Sequence, residues 1–255
     1  MKKIIYIVLF CFGIQAFCNA ACAANRDSLW VRGNDAYSLG EYAKALDIYR
    51  EIEKTGYVSA KLWYNMGNAC YKLQEDGLAI LYYERALKLA PSNRDIKNNL
   101  EIVRLKTLDK IESVPEFILT TWVKDLRNAM SSNRWAWVGI VMLVVTVLLL
   151  LVFRHAPKTS QRRVSFILAC VVFVFAIIAF VFSFNLKSDA VNSDSAIVLV
   201  PVSNIKSAPN STGGNLFILH EGTKVEVLER VGQWSRIELS DGRQGWMESK
   251  DFEMI

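Results

Sequence analysis

The hydrophobic pattern is densest in the middle of the chain. Two apolar runs there, 135–153 (WAWVGIVMLVVTVLLLLVF) and 164–186 (VSFILACVVFVFAIIAFVFSFNL), contain no charged side chain. At about 1.5 Å of rise per residue they make helices of roughly 28 and 34 Å, long enough for a hydrocarbon core of about 30 Å. A water-soluble helix of that length carries a polar stripe, and these runs carry none, so they predict a two-helix transmembrane hairpin. Their connection, 154–163, holds Arg154, Lys158, Arg162 and Arg163 and no acid. The excess of basic residues predicts a cytoplasmic loop, which puts both flanking regions on the opposite side of the membrane.

Before the hairpin, the pattern is helical and repeats itself. Gly33, Asn34, Tyr37, Leu39, Ala45 and Tyr49 recur 34 residues later as Gly67, Asn68, Tyr71, Leu73, Ala79 and Tyr83. That period predicts an all-α array of helix-turn-helix repeats, 26–59 and 60–93, in a domain covering 26–112. In the second copy Trp63, Met66, Gly67, Ala79, Tyr83, Ala86 and Pro91 resemble the tetratricopeptide (TPR) pattern. The small residues admit close helix approach, and Pro91, lacking an amide hydrogen, stops the second helix. The first copy is looser, with Leu29, Arg32 and Ile52 at three of these positions and no closing proline. A capping helix is expected over 94–112, with Ile96, Leu100, Val103 and Leu108 on its apolar side.

Between array and hairpin, 113–133 places Ile118, Trp122, Leu126 and Met130 at four-residue steps with Leu119 and Val123 beside them, and Lys124, Asp125 and Arg127 away from them. An amphipathic juxtamembrane helix is predicted, lying on the membrane surface or packed against the array. Trp135 and Trp137, which follow at once, favour the surface.

After a polar spacer, 187–195, the period falls to two. Short segments at 196–200, 203–207, 216–220, 224–230, 234–239 and 245–247 are separated by turn residues such as Pro209-Asn210, Glu221-Gly222 and Asp241-Gly242. The spacing predicts a small all-β barrel over 196–255. The stretches SNIKSAP, FILHEGTKVEVLE and GQWSRIELSDGRQGWM closely resemble a bacterial SH3-like domain, with Gly245-Trp246 as the best marker and Ala208 in place of a usual glycine.

Charge and cysteines narrow the function classes. The formal net charge of +5 over 255 residues comes from Lys2, Lys3 and the stretch from Lys124 to Arg163, leaving no basic face for nucleic acid. The N-terminus, MKKIIYIVLFCFGIQAFCNAACAAN, has a basic start, an apolar centre and small residues at its end, so 1–23 is expected to be a signal peptide, with an uncleaved third membrane helix as the alternative. Asn19 stands where a lipoprotein signal usually has leucine, so lipid modification of Cys22 is not expected. Cys70 and Cys170 remain beyond the leader, without a CxxC pair, so both soluble modules are expected to fold on apolar packing alone. His220 reads as a surface residue near a turn, and His155 lies across the membrane from it, which excludes a two-histidine metal site. No nucleophile stands at a recognisable spacing from a base, and the hairpin holds no acid or base for a relay. A non-enzymatic chain is expected, with no cofactor, no metal and no small-molecule substrate.

Candidate binding residues follow from slot matching. The inner surface of a tetratricopeptide array is made by the first helix of each repeat, and that resemblance implies Trp30, Asn34, Tyr37, Lys61, Tyr64, Asn68, Tyr71 and Lys72 as peptide-facing positions. Asparagine amides suit the backbone of an extended peptide and aromatic rings suit its side chains, although aromatics at this spacing also pack between repeats. Asp95 and Asn99 occupy the places where carboxylate-gripping versions carry basic residues. In the barrel Trp234 and Trp246 are the candidates for a ligand groove, with filling of the barrel the alternative, favoured for Trp246.

The order of modules, together with NNLEIVRLKTLDKIESVPEF at 98–117, resembles the BatE-type family of the Bacteroides aerotolerance (Bat) operon over nearly the full length. The resemblance implies an inner-membrane scaffold that presents TPR and SH3-like protein-interaction modules to the periplasm. The partners it implies are membrane proteins with von Willebrand factor A domains and a MoxR-type ATPase system, in an envelope assembly linked to aerotolerance or oxidative stress. A peptidoglycan-binding protein that recruits a cell-wall enzyme through its repeats is the alternative.

Overall fold

The computed structural model describes residues 26–111, 117–191 and 194–255. The leader expected at 1–23 lies outside them. Three architectures follow in order: an all-α repeat region, two long apolar helices and a C-terminal antiparallel sheet.

The repeat region contains α1 (26–38), α2 (Tyr42–Lys54), α3 (Ala60–Lys72), α4 (Asp76–Leu89) and α5 (Arg94–Arg104). Ser59 caps α3 by accepting the Leu62 amide hydrogen, and Asn93 caps α5 by accepting those of Asp95 and Ile96. The 34-residue recurrence of glycine with tyrosine has a steric cause. A Cβ at Gly33 would lie 2.6 Å from the Tyr49 ring, and one at Gly67 would lie 2.7 Å from that of Tyr83. Both rings are buried with Ile52, Leu62, Met66, Ile80, Leu81 and Ile96 in one core. Cys70 is also buried there, and burial pushes its thiol up to about 12, so it is an apolar filler. The capping helix is shorter than its apolar spacing suggests. It ends at Arg104, because the Lys106 and Thr107 amides bond back three residues and the Thr107 hydroxyl donates to the Arg104 carbonyl. Leu108 is therefore outside the helix and exposed.

Helix α6 (Ile118–Asn128) follows, then α7 (Ser132–His155) and α8 (Thr159–Val191). The last two are long and apolar enough to cross a membrane. They pack on each other through small residues: Gly139 lies against the Phe180 ring, and Ala169, Ala176 and Ala179 are buried. At one end the Ser132 hydroxyl donates to the Ser183 carbonyl at 2.9 Å and the Ser183 hydroxyl to the Ser132 carbonyl at 3.0 Å. Large side chains such as Leu148 and Ile167 are exposed along the remaining faces, the reverse of a soluble core helix. Both helices outrun the apolar runs at 135–153 and 164–186. The connection shrinks to 156–158 around Pro157, and α8 continues to Val191 because 187–191 contains neither glycine nor proline.

The barrel contains β1 (Ser195–Val198), β2 (Val202–Lys206), β3 (Asn215–His220), β4 (Lys224–Val231), β5 (Trp234–Glu238), β6 (Gln244–Glu248) and β7 (Phe252–Met254), in the order β3-β2-β6-β5-β4-β1-β7. Every pairing is antiparallel. Ala196, Val198, Ile205, Leu219, Val225, Ile237 and Met247 fill its interior. The seventh strand adds to the six expected segments. It has three residues, too few to show an alternation.

The repeat module and the barrel each have a core of their own, and they pack on each other. Ile197 of β1 is buried among the helices of the repeat region, with Leu199 and Ile255 packed beside it. Ile111, just past the capping helix, packs on the core of the barrel.

Candidate functional site

Two of the candidates, Asn34 and Asn68, form equivalent steps of a hydrogen-bonded ladder along the repeats. Asn34 Oδ1 accepts from Tyr49 Oη at 2.8 Å and from Asn65 Nδ2 at 3.1 Å. One repeat on, Asn68 Oδ1 accepts from Tyr83 Oη at 2.7 Å and from Asn99 Nδ2 at 3.0 Å. Burial pushes the Tyr49 phenol up to about 12 and raises that of Tyr83 further, so both hydroxyls stay protonated donors. Each phenol donates to the amide oxygen facing it, the same oxygen that accepts from Asn65 or from Asn99. Each Asn Nδ2 is thereby turned away from the phenol and has no acceptor among the described residues.

The aromatic candidates flank these donors and are half-buried. Trp30 packs on Tyr49 and Tyr64 on Tyr83, each with ring centroids 5.9 Å apart, and the Asn99 amide donates to the Tyr64 hydroxyl. Tyr37 meets Tyr42 edge-on. Lys61 sits over the Trp30 ring at 5.2 Å, and Lys72 is exposed. Tyr71 is covered by Lys106 at 4.2 Å, a residue from beyond the cap. All eight candidates thus lie on α1 or α3. The packing role that these rings also play is real, since one side of each touches the core.

Slot matching missed Asn65 and Asn99, which supply the second hydrogen bond of each ladder step. Their signal was present: they too stand 34 residues apart, as do Tyr49 and Tyr83. Asn99 belongs to this ladder rather than to a carboxylate grip.

In the barrel, alternation directs Gly245 and Met247 of β6 inward and Trp246 outward. The filling role favoured for Trp246 therefore falls to Met247 and Ile237, while a Cβ at Gly245 would collide with Ile205. Trp246 is half-buried on the outer face, opposite Arg236 on β5 and Lys206 on β2. Trp234 shares that face but lies two positions further along β5, opposite Glu248. The two rings are candidates for one surface rather than one closed pocket.

His220, expected at the surface, instead belongs to a clasp between the modules. Its Nδ1 pairs with Asp109 at 2.8 Å, its amide donates to Asp109 at 2.6 Å and the Thr223 hydroxyl does so at 2.7 Å. The next residue, Glu221, accepts the Gly77 amide hydrogen at the start of α4. Glu84 of α4, buried, meets Arg104 of α5 and Lys224 of β4. Arg85 and Lys88 of α4 reach the backbone oxygens of Met254 and Ile255, closing off the β7 edge. A cleft of about 880 Å³ opens beside the clasp, lined by Lys110, Glu226, Glu238 and Ser240 among others. Among the described residues, no group of three or more His, Cys, Asp or Glu side chains is placed to hold a metal ion.

The comparisons with known proteins agree with this division of the chain. A family model of the tetratricopeptide repeat matches residues 60–93, and one of the bacterial SH3 domain matches residues 201–253. No curated protein matches the chain. The two modules are of kinds that typically bind rather than catalyse.

Proposed function

We propose that this chain is a non-enzymatic scaffold of the inner membrane that grips an extended segment of a partner protein on the inner face of its repeats. The observation that carries this reading is that buried phenols hold Asn34 and Asn68 by their amide oxygens, leaving each Nδ2 without an acceptor among the described residues, beside half-buried Trp30, Tyr37, Tyr64 and Tyr71. Peptide carbonyls are their natural acceptors, and half-buried rings suit the intervening side chains. The basic loop at 154–163 and the exportable leader at 1–23 support a hairpin that leaves both modules in the periplasm. The likeness to the BatE-type family supports a place in a Bat envelope complex linked to aerotolerance. Its partners there would be membrane proteins with von Willebrand factor A domains and a MoxR-type ATPase system.

The test keeps the ladder and removes the donors. In the double variant Asn34→Asp, Asn68→Asp each tyrosine retains an acceptor, but no amide hydrogen faces the groove. Partners co-purified from solubilised membranes should be lost at an unchanged melting temperature. Recovery of the same partners in the same yield would contradict the reading.

A second reading is supported by the outward, half-buried Trp246 with Trp234 on the same face of the barrel. Such a surface suits the peptide stem of peptidoglycan, with the repeats recruiting a cell-wall enzyme. Sedimentation of the full chain with purified wall, lost on Trp246→Ala, supports it, and absence of co-sedimentation removes it.

A further inference from the structure

Among the described helices, α6 alone buries no side chain. Ile118, Leu119, Trp122, Val123 and Leu126 form one stripe about 140° wide at 100° per residue, and each is between 54 % and 67 % exposed. The array does not cover them, which removes the alternative of a helix packed on the repeats. Yet α6 is not loose. Arg127, outside the stripe, pairs with Asp189 near the end of α8 at 2.9 Å, and the Trp135 indole of α7 donates to the Arg127 carbonyl at 2.9 Å. The helix is thus fastened to the outer end of the hairpin with its apolar side left open.

What covers that side is indicated by what adjoins it. Helix α6 ends at Asn128 and α7 begins at Ser132, where Trp137, Ile140 and Val141 are also exposed and apolar. An exposed apolar stripe on a helix fastened to the hairpin beside Trp135 and Trp137 matches the boundary between lipid headgroups and acyl chains. We propose that α6 is an in-plane anchor whose stripe lies in that boundary, so that the repeats are held against the membrane surface. A fully extended chain from Ile111 to Phe117 spans at most about 22 Å, so Ile111, which packs on the barrel docked to the array, cannot stand further from the start of α6 than that. The groove then reads membrane-proximal segments of its partner. This rests on the hairpin lying in the bilayer, as proposed above.

Spin labels on the full chain in phospholipid nanodiscs test it. Leu119→Cys, Trp122→Cys and Leu126→Cys lie on the stripe, and Thr121→Cys and Asn128→Cys lie off it, each with the remaining cysteines replaced. Labels on the stripe should collide several-fold more with oxygen, relative to an aqueous nickel chelate, than labels off it. A label on native Cys170, exposed on α8, reports the hairpin separately. If the Cys170 label is in lipid but the stripe is open to the chelate, or is screened from both reagents by protein, the anchor is wrong and the hairpin stands. If the Cys170 label itself meets the chelate, the membrane reading fails and the anchor with it.

Discussion

Glu221, in the turn between β3 and β4, accepts at 2.9 Å the amide hydrogen of Gly77, 144 residues earlier, and so caps the start of α4. The local N-cap residue of α4, Glu75, makes no side-chain capping bond. A helix start leaves several amide hydrogens without partners, and here the barrel supplies one from outside. Gly222 follows with φ of +86°, and a Cβ there would meet Thr107 and Ile80.

Two substitutions measure that cap. Glu221→Ala removes the acceptor and should cost about 1 kcal/mol, the usual worth of an N-cap. Gly222→Ala adds a clash and a strained backbone and should cost about 1–3 kcal/mol. Chemical denaturation followed by far-ultraviolet dichroism checks both. Because the cap spans the modules, each variant should lower the stability of the repeat helices as well as of the barrel.

The Asp109 cluster gives the docking an acid limit. Burial works to raise the Asp109 carboxyl, but the hydrogen bonds from the His220 ring and amide and from Thr223 outweigh it and hold the carboxyl below its ordinary 3.8. A carboxyl lowered in the folded state contributes stability that is complete above the ordinary value and lost as pH falls through the folded one. Docking of the barrel on the repeats should therefore weaken progressively as pH falls below about 4. Distance measurements between labels on the two modules follow the detachment. Asp109→Ala should weaken docking at pH 7 by about 2 kcal/mol, since it leaves three donors without their charged acceptor.

Lys88 acts at the other end of the pH range. Burial, with repulsion from Lys224, pushes its ammonium down to about 8 from 10.5. The unfolded chain then binds more protons between those values, so stability should rise with pH from about 8 to 10.5. In Lys88→Met that rise should be missing from the denaturation profile.

Tyr83 combines packing with the ladder. Tyr83→Phe keeps the ring against Gly67 but leaves Asn68 Oδ1 with Asn99 alone, at a cost of about 1 kcal/mol. Gly67→Ala drives a methyl into that ring and should cost about 1–3 kcal/mol. Thermal denaturation checks the order, with Gly67→Ala melting lower.

The hairpin predicts a cross-link. Ser132 and Ser183 hydroxyl oxygens lie 3.3 Å apart, so Ser132→Cys, Ser183→Cys should form an intramolecular disulfide on mild oxidation. Non-reducing mass analysis detects it, and persistence of both free thiols would place α7 and α8 in a different register.

Local regularity made much of this structure readable. The recurrence of Gly33 and Tyr49 as Gly67 and Tyr83 is a steric pairing repeated at every period, so the repeats and their ladder show in the residues themselves. Alternation likewise revealed most strands, and it contained the outward direction of Trp246, since Gly245 and Met247 must then face in. The clasp was illegible for a different reason. Glu221, His220 and Lys224 find Gly77, Asp109 and Glu84 only through tertiary contact, and no periodicity links residues so distant in sequence. The extension of α8 to Val191 was missed because hydropathy marks where an apolar run ends, whereas the helix ends only where backbone bonding does.

The central claim is that the inner face of the repeats holds a partner in the membrane. A photoreactive phenylalanine analogue placed at exposed Lys61 or Lys72 on that face, with Glu51 on α2 as the outer control, tests it in intact cells. The account predicts cross-links to the same membrane protein from Lys61 and Lys72, lost when Asn34→Asp and Asn68→Asp are added, and none from Glu51. Cross-linking from Glu51 alone, or an undiminished adduct in the double variant, would contradict it.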